Sequence, residues 1–314
     1  MVARDGSLHL GIDLGGTNLK WAVVGADGAD WSIADRGQVR TPARDGPDAV
    51  VARIAELARE ATVRWPTAAT VGVGVPGLYD PVTGCTRFIV NIPGDWAGRP
   101  VAAPVAAAVG RPVALINDAR AFGLAELRLG AGRGARSMVG LTLGTGVGGV
   151  VAIDGRIYLG HDGTAGELGH QVIDPDGPPC GCGDHGCLEA FVRADRFAEA
   201  CGHPTVAKAV AAARAGDGPA IAGIARMATY LGIGIANMIT VLTPDRVVVG
   251  GGIAAAADLL FGPIREELVR RVRTTALDEV ELVVAELGTW AGSVGAAIHG
   301  AEHAAGLDGG SVPA

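Results

Sequence analysis

The chain has 314 residues, with 33 Asp and Glu against 26 Lys and Arg, a net charge of -7 and a pI near 5.5. That acidity excludes a sequence-independent nucleic-acid binder, which needs a basic footprint. Only 4% of the residues are aromatic while 49% are hydrophobic, so alanine and valine must carry much of the core, and 50 glycines imply many tight turns or close backbone approaches. The length suits two domains. No apolar run reads as long enough to cross a bilayer, so no membrane contact is expected. The N-terminus reaches Asp5-Gly6 and Gly11 too soon for a signal peptide, which points to the cytoplasm and to reduced thiols.

In chain order, Leu8 to Ile12 reads as a strand, Asp13 to Lys20 turns it, and Trp21 to Val24 continues as a second strand. Apolar residues at Val50, Val51, Ile54, Leu57 and Ala61 have helical spacing. Val71 to Val75 is a buried strand running into Pro76-Gly77, and Asn91 to Trp96 is rich in turn residues. Val101 to Val109 reads as a short helix, Val113 to Ile116 as a strand, and Ala119 to Leu129 as a helix. Gly140 to Gly144 then repeats the pattern of Gly11 to Gly15. Each run is strand, Gly/Thr-rich turn, second strand and Asp-Gly, so two domains of similar topology are expected. Beyond residue 190, helices are expected at 204–213, 221–242, 259–272 and 293–303, with strands at Arg246 to Val249 and Leu282 to Ala285.

The most specific signal lies between residues 167 and 189. His170, Cys180, Cys182 and Cys187 supply one imidazole and three thiols, the ligand count of a closed structural zinc site. A metal there would pin Glu167, three residues before His170, and Glu189, two after Cys187, so that both carboxylates can face one pocket. The second ring nitrogen of His170 would remain for a ligand. Cys85 and Cys201 lie outside this set.

Glycine turns follow strands at Gly15-Gly16, at Gly144 to Gly149 and at Gly250-Gly251-Gly252. Glycine lets backbone N–H groups come close to phosphate oxygens. Thr17 and Thr145 add hydroxyls, Lys20 a cation, and Asp13 a carboxylate suited to a water on Mg²⁺; together they indicate nucleotide binding. Gly144-Thr-Gly146-Val-Gly-Gly149 also fits a dinucleotide fingerprint, but strand rather than helix follows it, so that reading fails. Asn117-Asp118 stands between a strand and a helix and admits two roles: a helix cap or a catalytic base at a strand's C-terminal end.

These motifs, in this order, resemble the ROK family of repressors, open reading frames and sugar kinases, within the actin-like ATPases. The resemblance covers nearly the whole chain. It implies an α/β fold of two actin-like (ribonuclease H-like) domains flanking a cleft, with a structural zinc site. It implies phosphate motifs at Asp13, Gly15, Gly16, Thr17, Asn18 and Lys20 and at Gly144, Thr145 and Gly146, and an adenosine motif around Gly250, Gly251 and Gly252. Sugar contacts would fall to Gly77, Asn91, Asn117, Asp118, Glu167, His170 and Glu189, with Asp118 as the base. The chain departs from the pattern after Glu189, where Ala-Phe-Val-Arg-Ala-Asp replaces an aromatic followed by Ser-Gly or Ala-Gly.

The expected activity is ATP- and Mg²⁺-dependent phosphorylation of a hexose 6-hydroxyl, glucose foremost. Mannose, N-acetylmannosamine, an amino sugar such as kanosamine, or a cyclitol are alternatives, as is polyphosphate as donor. The competing class is a non-catalytic sugar sensor. Only Met1 to Ser7 precede the first strand, too few residues for the helix-turn-helix of the family's repressors. Domains are expected at 1–118, closed by a C-terminal helix near 293–305, and at 119–292. A flexible tail is expected at 306–314, and the resemblance implies a homodimer.

Overall fold

The computed structural model describes residues 6–28, 30–89 and 91–307. Most of the tail expected at 306–314 therefore lies outside the described residues. The chain forms two compact units: residues 1–134, 156–165 and 287–314 in the first, residues 135–155 and 166–286 in the second.

The first unit is built on a five-stranded sheet. Strands β1 (Ser7–Leu14), β2 (Asn18–Asp27) and β3 (Asp30–Arg40) form an antiparallel run, while β4 (Ala68–Val75) pairs parallel with β1. A small sheet comes from β5 (Gly77–Asp80), β6 (Cys85–Ile89) and β7 (Arg99–Pro100). Strand β8 (Val113–Asn117) completes the main sheet in the order β3-β2-β1-β4-β8. Helix α1 (Pro47–Arg64) starts at a proline and buries Val50, Val51, Ile54, Leu57, Ala58 and Ala61 against Leu10, Ile12, Val71 and Val73. Helices α2 (Ala102–Val109) and α3 (Asp118–Leu129) flank β8 in sequence.

In the second unit, β9 (Met138–Leu143) and β10 (Val147–Ile153) make a hairpin. The two-residue strand β11 (Arg156–Ile157) follows in sequence and falls in the first unit. Helices α4 (Leu188–Val192), α5 (Ala194–Ala200), α6 (Val206–Arg214) and α7 (Gly218–Leu242) come next. Strand β12 (Arg246–Gly250) runs parallel to β9, helix α8 (Ala257–Arg271) follows, and β13 (Glu281–Val284) pairs parallel with β12. Each main sheet thus carries an antiparallel hairpin beside two further parallel strands, the duplication expected from the repeat of Gly11 to Gly15 at Gly140 to Gly144.

Helix α7 corrects one expectation. Its 25 residues are long and apolar enough, by length and composition, to cross a membrane. It starts on a side-chain cap, with Asp217 Oδ1 accepting from Ala220 N at 2.8 Å. Over half of its apolar window is buried, with Ile224, Met227, Leu231, Ile235 and Ile239 packed into the second unit's core. A core helix explains that composition.

The chain returns to the first unit as α9 (Ala291–Ala304). Glycines let α9 lie on the sheet backbone: a Cβ at Gly72 in β4 would overlap the Ala296 carbonyl, and one at Gly295 would overlap the Ala121 carbonyl of α3. This approach groups α3 with the first unit, whereas the sequence suggested that the second domain opens after Asp118. Gly72→Val should destabilise the protein by a few kcal/mol, the usual cost of overpacking a core (about 1–3 kcal/mol). A fall in the denaturation midpoint by calorimetry or urea titration checks this, and Gly72→Ala should show a smaller fall.

Candidate functional site

In the first unit the site forms at the β1–β2 turn. Gly16 and Thr17 are exposed at its tip. Thr41 fixes its base, with its N–H donating to Thr17 O at 3.0 Å and its hydroxyl to Gly15 O at 2.7 Å. The backbone carbonyl of Asn91 lies 3.1 Å from where a Cβ on Gly16 would stand, so the loop that carries Asn91 abuts this turn. Asn91 itself is left-handed, at φ 64, a conformation that Asn tolerates better than most residues.

Asp13 and Lys20 face each other across the hairpin. Asp13 keeps some exposure but protein surrounds its carboxylate. Gly292, in the first turn of α9, has no room for a side chain because the Asp13 carboxyl carbon would lie 2.7 Å from its Cβ. Burial, and then the neighbouring Asp118 carboxylate, push the Asp13 carboxyl up from 3.8 to about 7, against the pull of Lys20. Crowded negative charge of this kind is what a divalent cation relieves, so the residues fit the Mg²⁺ expected beside Asp13.

Asn117 takes one of the two roles that the sequence left open, the cap. Asn117 is the N-cap of α3: its Oδ1 accepts from the amides of Ala119 at 3.0 Å and Arg120 at 3.2 Å. Its Nδ2 donates to Gly77 O at 3.1 Å, so both ends of the amide are engaged within the protein. Gly77, at φ 128, sits against the Phe88 carbonyl, and no L side chain fits there. Asp118 follows in the first turn of α3, where its Oδ1 takes the Ala119 amide at 2.9 Å. Arg120, almost fully buried, was not singled out from sequence. Its Nε and Nη2 donate to Ala165 O at 3.1 and 2.8 Å, two residues before Glu167 in the chain. A charge inside the apolar face of α3 is the signal that would have found it.

In the second unit His170 ends a 3-10 turn, Leu168–His170, while Cys180, Cys182 and Cys187 lie on a tight loop. The four ligand atoms lie within 4.8 Å of one another. A tetrahedron with Zn–S of about 2.3 Å and Zn–N of about 2.0–2.1 Å has edges of about 3.8 Å between sulfurs and about 3.6 Å from sulfur to nitrogen. Cys182 and Cys187 Sγ stand 3.7 Å apart, and Cys180 Sγ stands 3.6 Å from His170 Nδ1. Nδ1 is therefore the metal-side nitrogen, and Nε2 is left for another partner. Burial, and then the neighbouring sulfurs, push the Cys187 thiol up to about 12. Burial also raises Cys180, while the Asp184 backbone amide lowers Cys182. The donor set fits zinc.

Glu189 lies in the first turn of α4, immediately after this loop. Its Oε2 accepts from Val147 N at 2.8 Å and would sit 2.5 Å from a Cβ on Gly146. The sequence suggested that Gly146 is small so that phosphate can approach; here a carboxylate fills that space. Gly144 and Gly252, by contrast, have nothing within 4 Å of a would-be Cβ, and Gly251 packs on the backbone of Leu143. The two glycine turns of this unit therefore adjoin, with open space over Gly144 and Gly252. Thr145, at the tip of the first of these turns, is exposed, as is Glu167.

The ROK family model matches residues 9–301. The chain belongs to the ROK family. It is 38% identical to a glucokinase of Thermotoga maritima, over 92% of this chain and 95% of that protein. Among solved structures, the ROK hexokinase of Thermus thermophilus superposes with a TM-score of 0.84 at 34% identity, over 95% of this chain and 99% of that one. The ROK glucokinase of Streptomyces griseus, solved with glucose and AMPPNP, gives a TM-score of 0.78 at 30% identity over 94% and 99%.

Two measurements check this site. Elemental analysis should find about one zinc per chain, and chelation or Cys187→Ser should lower the unfolding temperature, because folding and metal binding are linked. The second concerns Asp13. In the ligand-free, Mg²⁺-free protein its native carboxyl binds a proton more tightly than the unfolded chain does, so its contribution to stability is complete below about pH 4 and is lost as pH rises to about 7. Asp13→Asn removes this loss. Relative to wild type the variant should gain about 4 kcal/mol between those limits, read from urea unfolding across pH.

Proposed function

We propose that this ROK protein is an ATP-dependent kinase that phosphorylates the 6-hydroxyl of a hexose, with glucose as the first candidate. The observation that carries the reading is the division of labour at the start of α3. Asn117 caps the helix, and the Asp118 carboxylate, with Oδ1 on the Ala119 amide, stands close enough to Asp13 to raise its pKa. The named relatives favour glucose over mannose, amino sugars or cyclitols.

In this reading Asn91, Asn117, Glu167, His170 Nε2 and Glu189 surround the sugar, with Gly77 shaping the loop behind it. Carboxylates suit a polyol because each accepts from more than one hydroxyl. The 6-hydroxyl gives its proton to Asp118 as its oxygen attacks the γ-phosphorus, and the bond to the departing ADP oxygen breaks. The transition state is loose, so alignment and charge neutralisation supply most of the rate. Gly15, Gly16, Thr17 and Asn18 and the open backbone at Gly144 and Thr145 would donate to phosphates, with Lys20 adding positive charge. The space over Gly252 would take the adenosine. Bound Mg²⁺ would offset phosphate charge, held by Asp13 directly or through water. The homodimer and the cytoplasmic setting implied by the family belong to the same reading.

Asp118→Asn tests the base. The cap is on Asn117, so the unfolding temperature should hold. Loss of a general base should lower kcat by about 10²–10⁴-fold, with the KM for ATP nearly unchanged. A folded variant that keeps more than about a tenth of kcat, above the range for losing a base, would show that Asp118 is not the base.

A further inference from the structure

Glu189 joins the two halves of the proposed chemistry within one unit. Its Oε2 holds the Val147 amide at 2.8 Å, at the point where the Gly144–Gly146 turn enters β10. The same oxygen takes the place of a side chain on Gly146, whose own carbonyl accepts from Gly144 N at 2.9 Å. The junction of α4 and α5 adds a second tie, Ala194 N to Gly144 O at 2.8 Å. On the other side, Oε1 lies 3.9 Å from Cys180 Sγ. A formal negative charge therefore rests directly against a turn that has to receive phosphate. It also draws one backbone N–H of that turn toward itself.

We propose that Glu189 couples sugar binding to phosphate-donor binding. This rests on the reading above, which sets sugar hydroxyls at Glu189 and phosphates at Gly144. Without sugar, the carboxylate opposes an anion at the turn, since like charges a few ångströms apart in a partly dry site repel strongly. A sugar hydroxyl that donates to Oε1 draws charge density away from Oε2 and from the turn. Sugar then tightens the donor, and by reciprocity the donor tightens the sugar. The consequence is ordered use of ATP: the donor is held well only when an acceptor other than water is present.

The test is calorimetric titration of AMPPNP into the full chain with and without saturating glucose. In wild type, glucose should tighten AMPPNP by about 5-fold or more, within the usual range of coupling between sites. Glu189→Gln keeps an oxygen for the Val147 amide and removes the charge. It should bind AMPPNP alone about 5-fold more tightly than wild type does, by the same coupling scale, and glucose should then add less than about 2-fold. Damage to the fold would weaken AMPPNP, so a gain in affinity separates the coupling role from a structural one. Tripolyphosphate titrated into wild type gives an independent arm that needs no variant: glucose should tighten it as well. An unchanged or weaker AMPPNP affinity in Glu189→Gln, or coupling seen with AMPPNP and absent with tripolyphosphate, overturns the inference. A wild-type chain that binds both ligands without coupling overturns it alone. One that binds no sugar overturns the functional reading beneath it as well.

Discussion

Three sulfurs and an imidazole nitrogen within 4.8 Å of one another are the donor set of a closed zinc site, and a cation suits them best when the thiols are ionised. The buried Cys187 thiol shows the cost, since burial and its sulfur neighbours resist its ionisation. Much of the second unit's ligand-facing surface depends on resolving that cost. The loop between Cys180 and Cys187 is short and turns through backbone bonds such as Cys180 N to Asp184 O at 2.7 Å. It has little apolar core of its own beyond Cys180, Cys187 and Ala190. Helix α4 begins where this loop ends, and Glu189 rides on its first turn. A metal held by these four ligands would supply the rigidity that hydrophobic packing supplies elsewhere, and would pass it through Glu189 to Val147 and so to the glycine turn.

The first unit solves the equivalent problem by close packing. Gly72 and Gly295 remove the side chains that would hold α9 off β4 and α3, and the helix start then arrives at Asp13 through Gly292. A carboxylate at a helix N-terminus meets favourable dipoles, but here burial and Asp118 outweigh them. The strain of two neighbouring carboxylates is borne by the close-packed scaffold around them, which is where a functional site is expected to keep an arrangement that folding alone would not select.

How much of this was legible follows from what kind of signal each feature leaves. The zinc ligands were readable because ligand identity and spacing are local. Helices α1, α3 and α7 were readable because each buries a continuous apolar stripe. Strand β3 was missed because it is an edge strand with no fully buried residue, and Asp35 and Gly37 interrupt the apolar alternation that Trp31, Ile33 and Val39 begin. Helices α4 and α5 were missed because the break at Arg193, extended at ψ 158, leaves two pieces too short for a helical period to register. At Gly146 the sequence could not show what stands where a side chain would be, because a glycine in a turn looks the same whether a ligand or the protein's own carboxylate fills that space. Only the fold, which brings residue 189 back to residue 146, separates the two. For the same reason the sequence left the cap unresolved between Asn117 and Asp118: both side chains reach the Ala119 amide, and only Asn117 also takes that of Arg120.

The duplicated hairpins carry the last step. In the first, the second residue pair from the turn is Asp13 opposite Lys20; in the second, the corresponding pair is Thr142 opposite Gly148. Backbone geometry has been kept and charge has not. The first copy places ionisable groups beside its turn, where they act on Asp118 and on any cation held there. The second copy has no charged pair beside its turn and leaves open backbone at Gly144, while Glu189 on another element brings a carboxylate against Gly146. A phosphate-transfer site needs both kinds of surface. Fixed charges must meet the reacting end of the donor, and neutral N–H donors must hold the remaining phosphates without binding them so tightly that ADP cannot leave. One strand–turn–strand unit cannot present both at the same two strand positions. Two copies of it can, once each is free to lose what the other retains.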